Sequence, residues 1–311
     1  YSDLYYTSYN PNYETNALNQ NLSATGYLAE NLSYPVFLPL TYSYNNIAIG
    51  DSYALSEKID TADNFYALSS KQTNSHMMKN SEWGAVAYLT QSTYGRNKTE
   101  ITINDYYTNS STESPFRTSV TGLASSDSSE EATTDLTNVS AYNTTIGMKG
   151  NSTGNITGVY DLSGGVWERT SAYILNGNTR LTRIGEHGSS GGLIGATSMA
   201  TPNGYQYLST RNYTVYPYNS LNDSFTNNYN TYKGLLSSSY GYGEGILETS
   251  TGTSTTSSWN SDNSYFPYAY YPFFQLGGRS GLSSSDGLFA FSLTNGTVDY
   301  GNGFRVVLIS E

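Results

Sequence analysis

This chain has two histidines, His76 and His187, and no cysteine. The missing cysteines exclude disulfides, thiol nucleophiles, thiolate zinc sites and iron–sulfur clusters together. His76 stands six residues before Glu82, which is not the i, i+4 spacing of a helical zinc motif. Both histidines therefore read as structural or surface residues. No G-x-S-x-G elbow presents a serine, although triad partners distant in sequence leave no local signature. Gly185–Gly192 lacks the Lys-Ser/Thr of a phosphate loop, and Gly241–Gly245 follows no strand, so both read as loops. Glycoside hydrolysis requires two carboxylates. Glu168, Glu186, Glu244 and Glu248 are candidates, and a solvated surface explains them equally well.

The elements that would position such groups must come from an unusual composition. Charged residues make up 13% of the 311, with a net charge of −11. That balance argues against nucleic acid, which needs a basic patch, and against an anionic membrane surface. Ser and Thr number 82, Asn 31 and Tyr 32, so solubility rests on neutral polar groups. The hydrophobic share of 37% is below that of an average domain, but tyrosine can bury its ring and keep its hydroxyl bonded. With 14% aromatics the chain does not read as disordered. It begins at Tyr1 rather than Met, which reads as a processed product. No apolar run is long enough to span a bilayer.

Hydrophobic spacing predicts a short helix within 52–72, carrying Leu55, Ile59 and Ala62. The clearest helix is predicted over 75–92, capped by Asn74 or Ser75 and ended by Gly95. Its buried face would hold Met78, Trp83, Val86, Ala87 and Thr90. A second short helix or tight turn is expected near Leu162–Tyr173. Residues 96–150 read as loop with short strands, and 188–192 and 249–258 as low-complexity loops. Strand patches are expected at Phe273-Phe274, Leu288–Leu293 and Phe304–Ile309. No 20–50-residue repeat is found. The expected architecture is α+β, with a Tyr-rich attachment or assembly segment at 1–50 and one domain at 51–311.

Three segments in order resemble a known family. Gly158-Val-Tyr-Asp-Leu-Ser-Gly-Gly-Val-Trp-Glu-Arg-Thr170 resembles the N-V-Y-D-M-x-G-N-V-W-E-W-T signature of the formylglycine-generating enzyme, or sulfatase-modifying factor, family. Phe274-Gln-Leu-Gly-Gly278 is similar to that family's R-G-G strand, and Gly303-Phe-Arg-Val-Val-Leu308 to its terminal G-F-R strand. Thr73–Leu89 resembles a helix that precedes this domain in bacterial surface and pilin-like proteins. The resemblance implies a C-type-lectin-like fold with few helices, short sheets and long loops. The family's oxidase chemistry needs a copper-binding cysteine pair, which this chain lacks, so a non-catalytic member is implied. The family also binds calcium through the Glu of the W-E block and an Asn before it. Glu168 matches the Glu, but Gly165 stands where the Asn is expected. No other cofactor is implied.

Non-enzymatic proteins of this fold, among them retroelement-variable and phage receptor-binding proteins, display changeable residues on their C-terminal part. Here that stretch, Trp259–Asn302, carries Tyr265, Tyr268, Tyr270, Tyr271, Arg279, Asp286, Asp299 and Tyr300. Tyr, Ser, Gly and Asn are also the residues of antibody paratopes. The expected function is a non-catalytic extracellular adhesin or surface-appendage subunit, partnered by itself in a homo-oligomer or filament and by a cell-surface protein or glycan. A phage tail receptor-binding protein and a carbohydrate-active hydrolase are the alternatives. Eleven N-x-S/T sequons, at Asn21, Asn31, Asn97, Asn109, Asn138, Asn143, Asn151, Asn155, Asn212, Asn222 and Asn295, fit a glycosylated cell-surface protein.

Overall fold

The computed structural model describes residues 35–311 apart from 36, 38, 46, 61–65, 67, 69–71, 110–116, 127–132, 176–180, 182–206, 237–242, 282–285 and 311. Three helices lie among them: α1 (Ile49–Glu57), α2 (Asn80–Gln91) and α3 (Phe225–Leu236). The early strands are β1 (Thr73–Met77), β2 (Thr108–Asn109), β3 (Arg117–Thr118), β4 (Leu123–Ser125) and β5 (Val139–Ala141). The later ones are β6 (Trp167–Ile174), β7 (Leu208–Ser209), β8 (Thr214–Tyr216), β9 (Phe273–Leu276), β10 (Phe291–Thr294), β11 (Asn302–Phe304) and β12 (Val306–Ser310). The architecture is mixed α+β, with several small sheets.

β6 is the axis of the main sheet. β9 runs antiparallel along one edge, with Glu168 opposite Leu276. On the other edge, β11 and β8 run parallel to it, beside its first and last thirds. β10 extends the sheet beyond β9, and β7 beyond β8. β1 and β12 form a separate antiparallel pair from Thr73 opposite Ser310 to Met77 opposite Val306. Two small ribbons, β2–β3 and β4–β5, lie within the polar 96–150 stretch, as its composition suggested.

The core is aromatic. Trp83, Tyr216, Tyr229, Tyr232, Phe266, Phe274, Phe289 and Phe291 belong to one buried cluster. The Tyr216 ring lies 4.6 Å from Phe274 and 4.9 Å from Tyr232. The tyrosines are buried because their hydroxyls find partners, as when Tyr229 donates to the Ser250 carbonyl at 3.0 Å. α2 contributes Trp83, Ala87 and Thr90 to the interior, and the Trp83 indole donates to the Leu288 carbonyl at 2.9 Å. Gly84 lets the helix sit directly on the 243–245 loop, since a Cβ there would stand 2.0 Å from the Gly243 oxygen.

Several elements differ from their expected form. The helix expected over 75–92 starts only at Asn80, because residues 73–77 pair with β12 instead. Glu82 reaches back to the Lys79 backbone N–H at 2.9 Å and closes the helix start there. The helix ends at Gln91, before the expected Gly95. Of the stretch Leu162–Tyr173, expected as a helix or tight turn, residues 162–166 bend through Gly164 and Gly165 at φ +75° and +73°, and the rest belongs to the fully buried strand β6. Its Glu-Arg-Thr-Ser run looks solvated, yet Thr170 donates to Asn80 at 2.6 Å and Ser171 to the Met77 carbonyl at 2.9 Å. The helix within 52–72 is α1 and a following 3-10 turn, Lys58–Asp60. Leu55 and Ile59 are buried as expected, whereas Ala62 lies outside the described residues. Of the Leu288–Leu293 patch, only residues from Phe291 onward are strand.

Most of the 1–50 segment lies outside the described residues. Its last part is built into the domain: Ile47 and Ile49 are fully buried, Asn45 bridges to Gly303 and Tyr42 to Val120.

Candidate functional site

The motif residues that are far apart in sequence meet at one end of β6. Parallel pairing sets Gly303 opposite Glu168, and Arg305, the single residue between β11 and β12, meets the Glu168 side chain. Arg305 Nε donates to Glu168 Oε2 at 2.7 Å, and Nη2 donates to Oε1. Nη2 also reaches the Tyr160 carbonyl at 3.0 Å. Burial pushes the Glu168 carboxyl above its usual range, against the pull of Arg305. Burial pulls Arg305 down, but Glu168 and Asp161 outweigh it and hold the guanidinium above its ordinary value. Asp161, adopting φ +61°, accepts from the Asn104 side chain at 2.8 Å and from Gly122 N–H at 2.8 Å. The Gly-Gly pair is also a matter of close approach. A Cβ on Gly277 would stand 2.8 Å from the Trp83 ring, and one on Gly278 2.3 Å from Asp286.

This geometry corrects the expected calcium ligand. Both oxygens of Glu168 are engaged by a cation, so the residues present do not fit a calcium site. Among the described residues, no group of three or more His, Cys, Asp or Glu converges to hold a metal ion.

The other chemical candidates are likewise bonded. His76 is buried between Asn74 and Glu82, each at 2.7 Å. Glu244 accepts from the hydroxyls of Tyr207 at 2.6 Å and Tyr216 at 2.8 Å, and from Tyr232. Burial still raises its carboxyl to about 7, and burial with the Glu244 charge raises the Tyr216 and Tyr232 hydroxyls. Glu248 accepts from the Gly243 N–H. His187 and Glu186 lie outside the described residues.

The eight expected display residues divide into two groups. Tyr268–Tyr271 form the turn entering β9, closed by reciprocal backbone bonds of 3.2 and 2.9 Å. The Tyr268 ring lies 5.6 Å from Tyr271 and 6.3 Å from Tyr270. Phe225, at the start of α3, joins Tyr265 at 5.7 Å to Tyr268 at 6.4 Å. Tyr270 is 59% exposed and Tyr271 38%. The turn is pinned from behind: Asp223 accepts from the Ala269 N–H and from Asn228, each at 2.8 Å, and Asn228 donates to the Pro267 carbonyl at 3.0 Å. Arg279 follows the far end of β9. Asp299 accepts from the Gly301 N–H at 2.6 Å, and the Tyr300 carbonyl accepts from Asn45 at 2.6 Å. Asp286 is buried behind Gly278 rather than displayed.

The sequons also divide. Asn97, Asn138, Asn143, Asn155 and Asn222 are exposed, and Asn212 and Asn295 are half-buried. Asn21 and Asn31 lie outside the described residues, and the Asn109 side chain is not described. Asn151 is fully buried. Its Nδ2 donates to the Asn155 carbonyl at 2.6 Å, and its Oδ1 accepts from Gly154 N–H at 2.7 Å. Glycopeptide mapping of the native protein is expected to find Asn151 unmodified, whatever the occupancy of the exposed sequons.

Two features were not anticipated from sequence. One is a groove of about 760 Å³ between the 35–44 segment, the 156–161 turn and the start of β12. Its lining includes Phe37, Tyr142, Ile156, Val159, Val306 and Val307, together with the Glu168–Arg305 pair. The other is Arg169, a buried guanidinium in β6. It donates to the Ile47 carbonyl at 2.6 Å and to the Thr297 carbonyl, and burial lowers it to about 10. Neither has a local signal, because both are assembled from segments more than a hundred residues apart.

No family model matches this chain, and no curated protein matches it in sequence.

Proposed function

We propose that this protein is a non-catalytic extracellular binding protein with a C-type-lectin-like domain, either an adhesin or a subunit of a surface appendage. The observation that carries this reading is the tyrosine face formed by Tyr265, Tyr268, Tyr270 and Tyr271 around Phe225. Its turn is fixed by Asp223 and Asn228, so aromatic contact area is offered with little ordering cost on binding. Tyrosine presents a flat apolar face and a hydroxyl, the combination that suits a neutral glycan or a protein surface. The non-catalytic part rests on the absence of the cysteine pair that the resembled family's oxidase chemistry needs.

The test is a glycan array and whole-cell binding with the full chain. Tyr270→Ala with Tyr271→Ala is expected to weaken the binding found at least tenfold, as loss of aromatic anchors does. The melting temperature should fall only slightly, because Tyr270 is 59% exposed and Tyr271, which packs on Tyr268, is 38% exposed. Binding unaffected by the double substitution, or no binding to any glycan or cell surface, would overturn the reading.

A further inference from the structure

The β1–β12 pair ends in an open edge. Met78 N–H donates to the Arg305 carbonyl at 2.9 Å, and His76 lies opposite Val307 and Asn74 opposite Ile309. In an antiparallel ladder the hydrogen-bonded positions alternate. Arg305, Val307 and Ile309 therefore bond toward β1, and Val306, Leu308 and Ser310 turn their N–H and C=O groups away. Among the described residues no strand pairs on that side. The outer edge of β1 is closed differently, since Ser75 N–H donates to Asp60 at 2.7 Å and Ser75 Oγ to the Ser56 carbonyl at 2.8 Å. Further back, the bridge from Asn45 to Gly303 covers the chain. The opening thus begins at Val306, where the apolar groove runs alongside.

Open edges are ordinarily protected by charge, proline or a bulge. β12 reads Val-Val-Leu-Ile-Ser, with no charge and no proline. Leu308 is 43% exposed and Ile309 41%. An uncharged edge beside a largely apolar groove, whose charged Glu168 and Arg305 are paired with each other, is a geometry that accepts an added strand.

We infer that this edge and groove take an extended segment from residues 1–34 of a second copy of this chain. The described chain starts at Pro35, which with Phe37 and Pro39 lines the groove, so each copy carries those residues tethered at a groove mouth. Residues 1–34 contain no Lys or Arg, and only Asp3, Glu14 and Glu30 are charged. Tyr5, Tyr6, Thr7 and Tyr9 are residue types that favour strands, and their side chains match apolar walls. Extended, 34 residues reach on the order of 110 Å, enough to span to a neighbour. The inference deepens the appendage form of the proposed function by naming its assembly contact, and does not depend on ligand binding by the tyrosine face.

The full chain should sediment as concentration-dependent oligomers. Leu308→Pro removes an outward N–H and a partly exposed leucine side chain, and leaves the bonds to β1 intact. It should raise the concentration needed for assembly at least tenfold, with a melting temperature close to that of the parent. Leu308→Lys, which keeps the backbone donor, guards against a folding defect and should act in the same direction. Tyr5→Asp with Tyr9→Asp should impair assembly from the donor side. An equal mixture of this variant with Leu308→Pro should form dimers that neither forms alone, because one keeps its edge and the other its donor. A parent monomeric at all concentrations would overturn the inference, as would assembly unaffected by both Leu308 variants. Assembly lost with the Leu308 variants but kept by the Tyr5/Tyr9 variant would mean that β12 pairs with itself or with another segment, and would overturn the donor assignment. Glycan or cell binding by a purely monomeric parent would leave the tyrosine-face reading standing while removing this one.

Discussion

Removing Arg305 by an Arg305→Ala substitution is expected to cost about 3 kcal/mol of folding stability at pH 7. That is the low end of the range for breaking a buried ion pair, because the Arg305 side chain keeps 23% of its exposure while Glu168 keeps 9%. The cost has two sources. Glu168 would be left as an uncompensated carboxylate in the interior, and the Tyr160 carbonyl would lose its donor. The charged form of Glu168 carries most of the penalty. The loss should therefore shrink near pH 4, where the carboxyl can take up a proton. Glu168→Gln combined with Arg305→Met should lose less than Arg305→Met alone, since replacing both partners removes the stranded charge. Urea unfolding of the four proteins at pH 4 and pH 7 measures this. Equal losses for single and double variants at both pH values would show that the pair is not electrostatically coupled.

The Asp51→Asn variant is expected to be more stable than the parent above pH 7. Asp51 lies in the first turn of α1 at 1% exposure, and neither carboxyl oxygen has a hydrogen-bond partner. Burial pushes its carboxyl from 3.8 to about 7. At about 1.36 kcal/mol per tenfold change in proton affinity, the charged form costs roughly 4 kcal/mol. The favourable helix dipole at an N-terminal turn returns only about 0.3–1 kcal/mol, so desolvation wins. The folded chain holds this proton more tightly than the unfolded chain. Stability from this group is therefore greatest below about pH 4, falls as pH rises from about 4 to about 7, and levels off above that. Glu244, raised from 4.5 to about 7 by burial, acts in the same direction. Asp51→Asn should add about 2–4 kcal/mol at pH 8 and little at pH 4. Thermal unfolding across this range reads the effect, and a pH-independent difference would show that the Asp51 carboxyl titrates as an ordinary surface group.

Some of the architecture is legible locally. The spacing of Trp83, Ala87 and Thr90 marks the inner face of α2, because helical burial repeats every three to four residues. Phe273-Phe274 and the Phe304–Ile309 run read as strands from short apolar stretches bounded by turn residues. The same local logic failed at residues 73–77 and at β6. Thr-Asn-Ser-His-Met has the polarity of a helix start, and its strand state comes entirely from β12, more than two hundred residues later. Glu168-Arg169-Thr170-Ser171 looks solvated until each polar group meets its partner: Arg305, the Ile47 carbonyl, Asn80 and the Met77 carbonyl.

The candidate site shows the same division. The tyrosine clustering of Tyr265–Tyr271 is visible in the sequence, while Phe225, which bridges Tyr265 and Tyr268, enters only through the packing of α3. Arg279, Asp299 and Tyr300 looked contiguous with the tyrosines, but β9 stands between them, and Asp286 is enclosed by the close approach of Gly278.

The sequence by itself determined the chemistry that is absent, the neutral polar surface, and a core that must rest on tyrosine, because composition sets which atoms exist wherever the chain goes. Only the tertiary structure decided which polar groups are buried and what they meet. The Glu168–Arg305 pair, the enclosed Asp51 and the open β12 edge each depend on partners, or their absence, set by packing between segments distant in sequence. No local period records such long-range contacts.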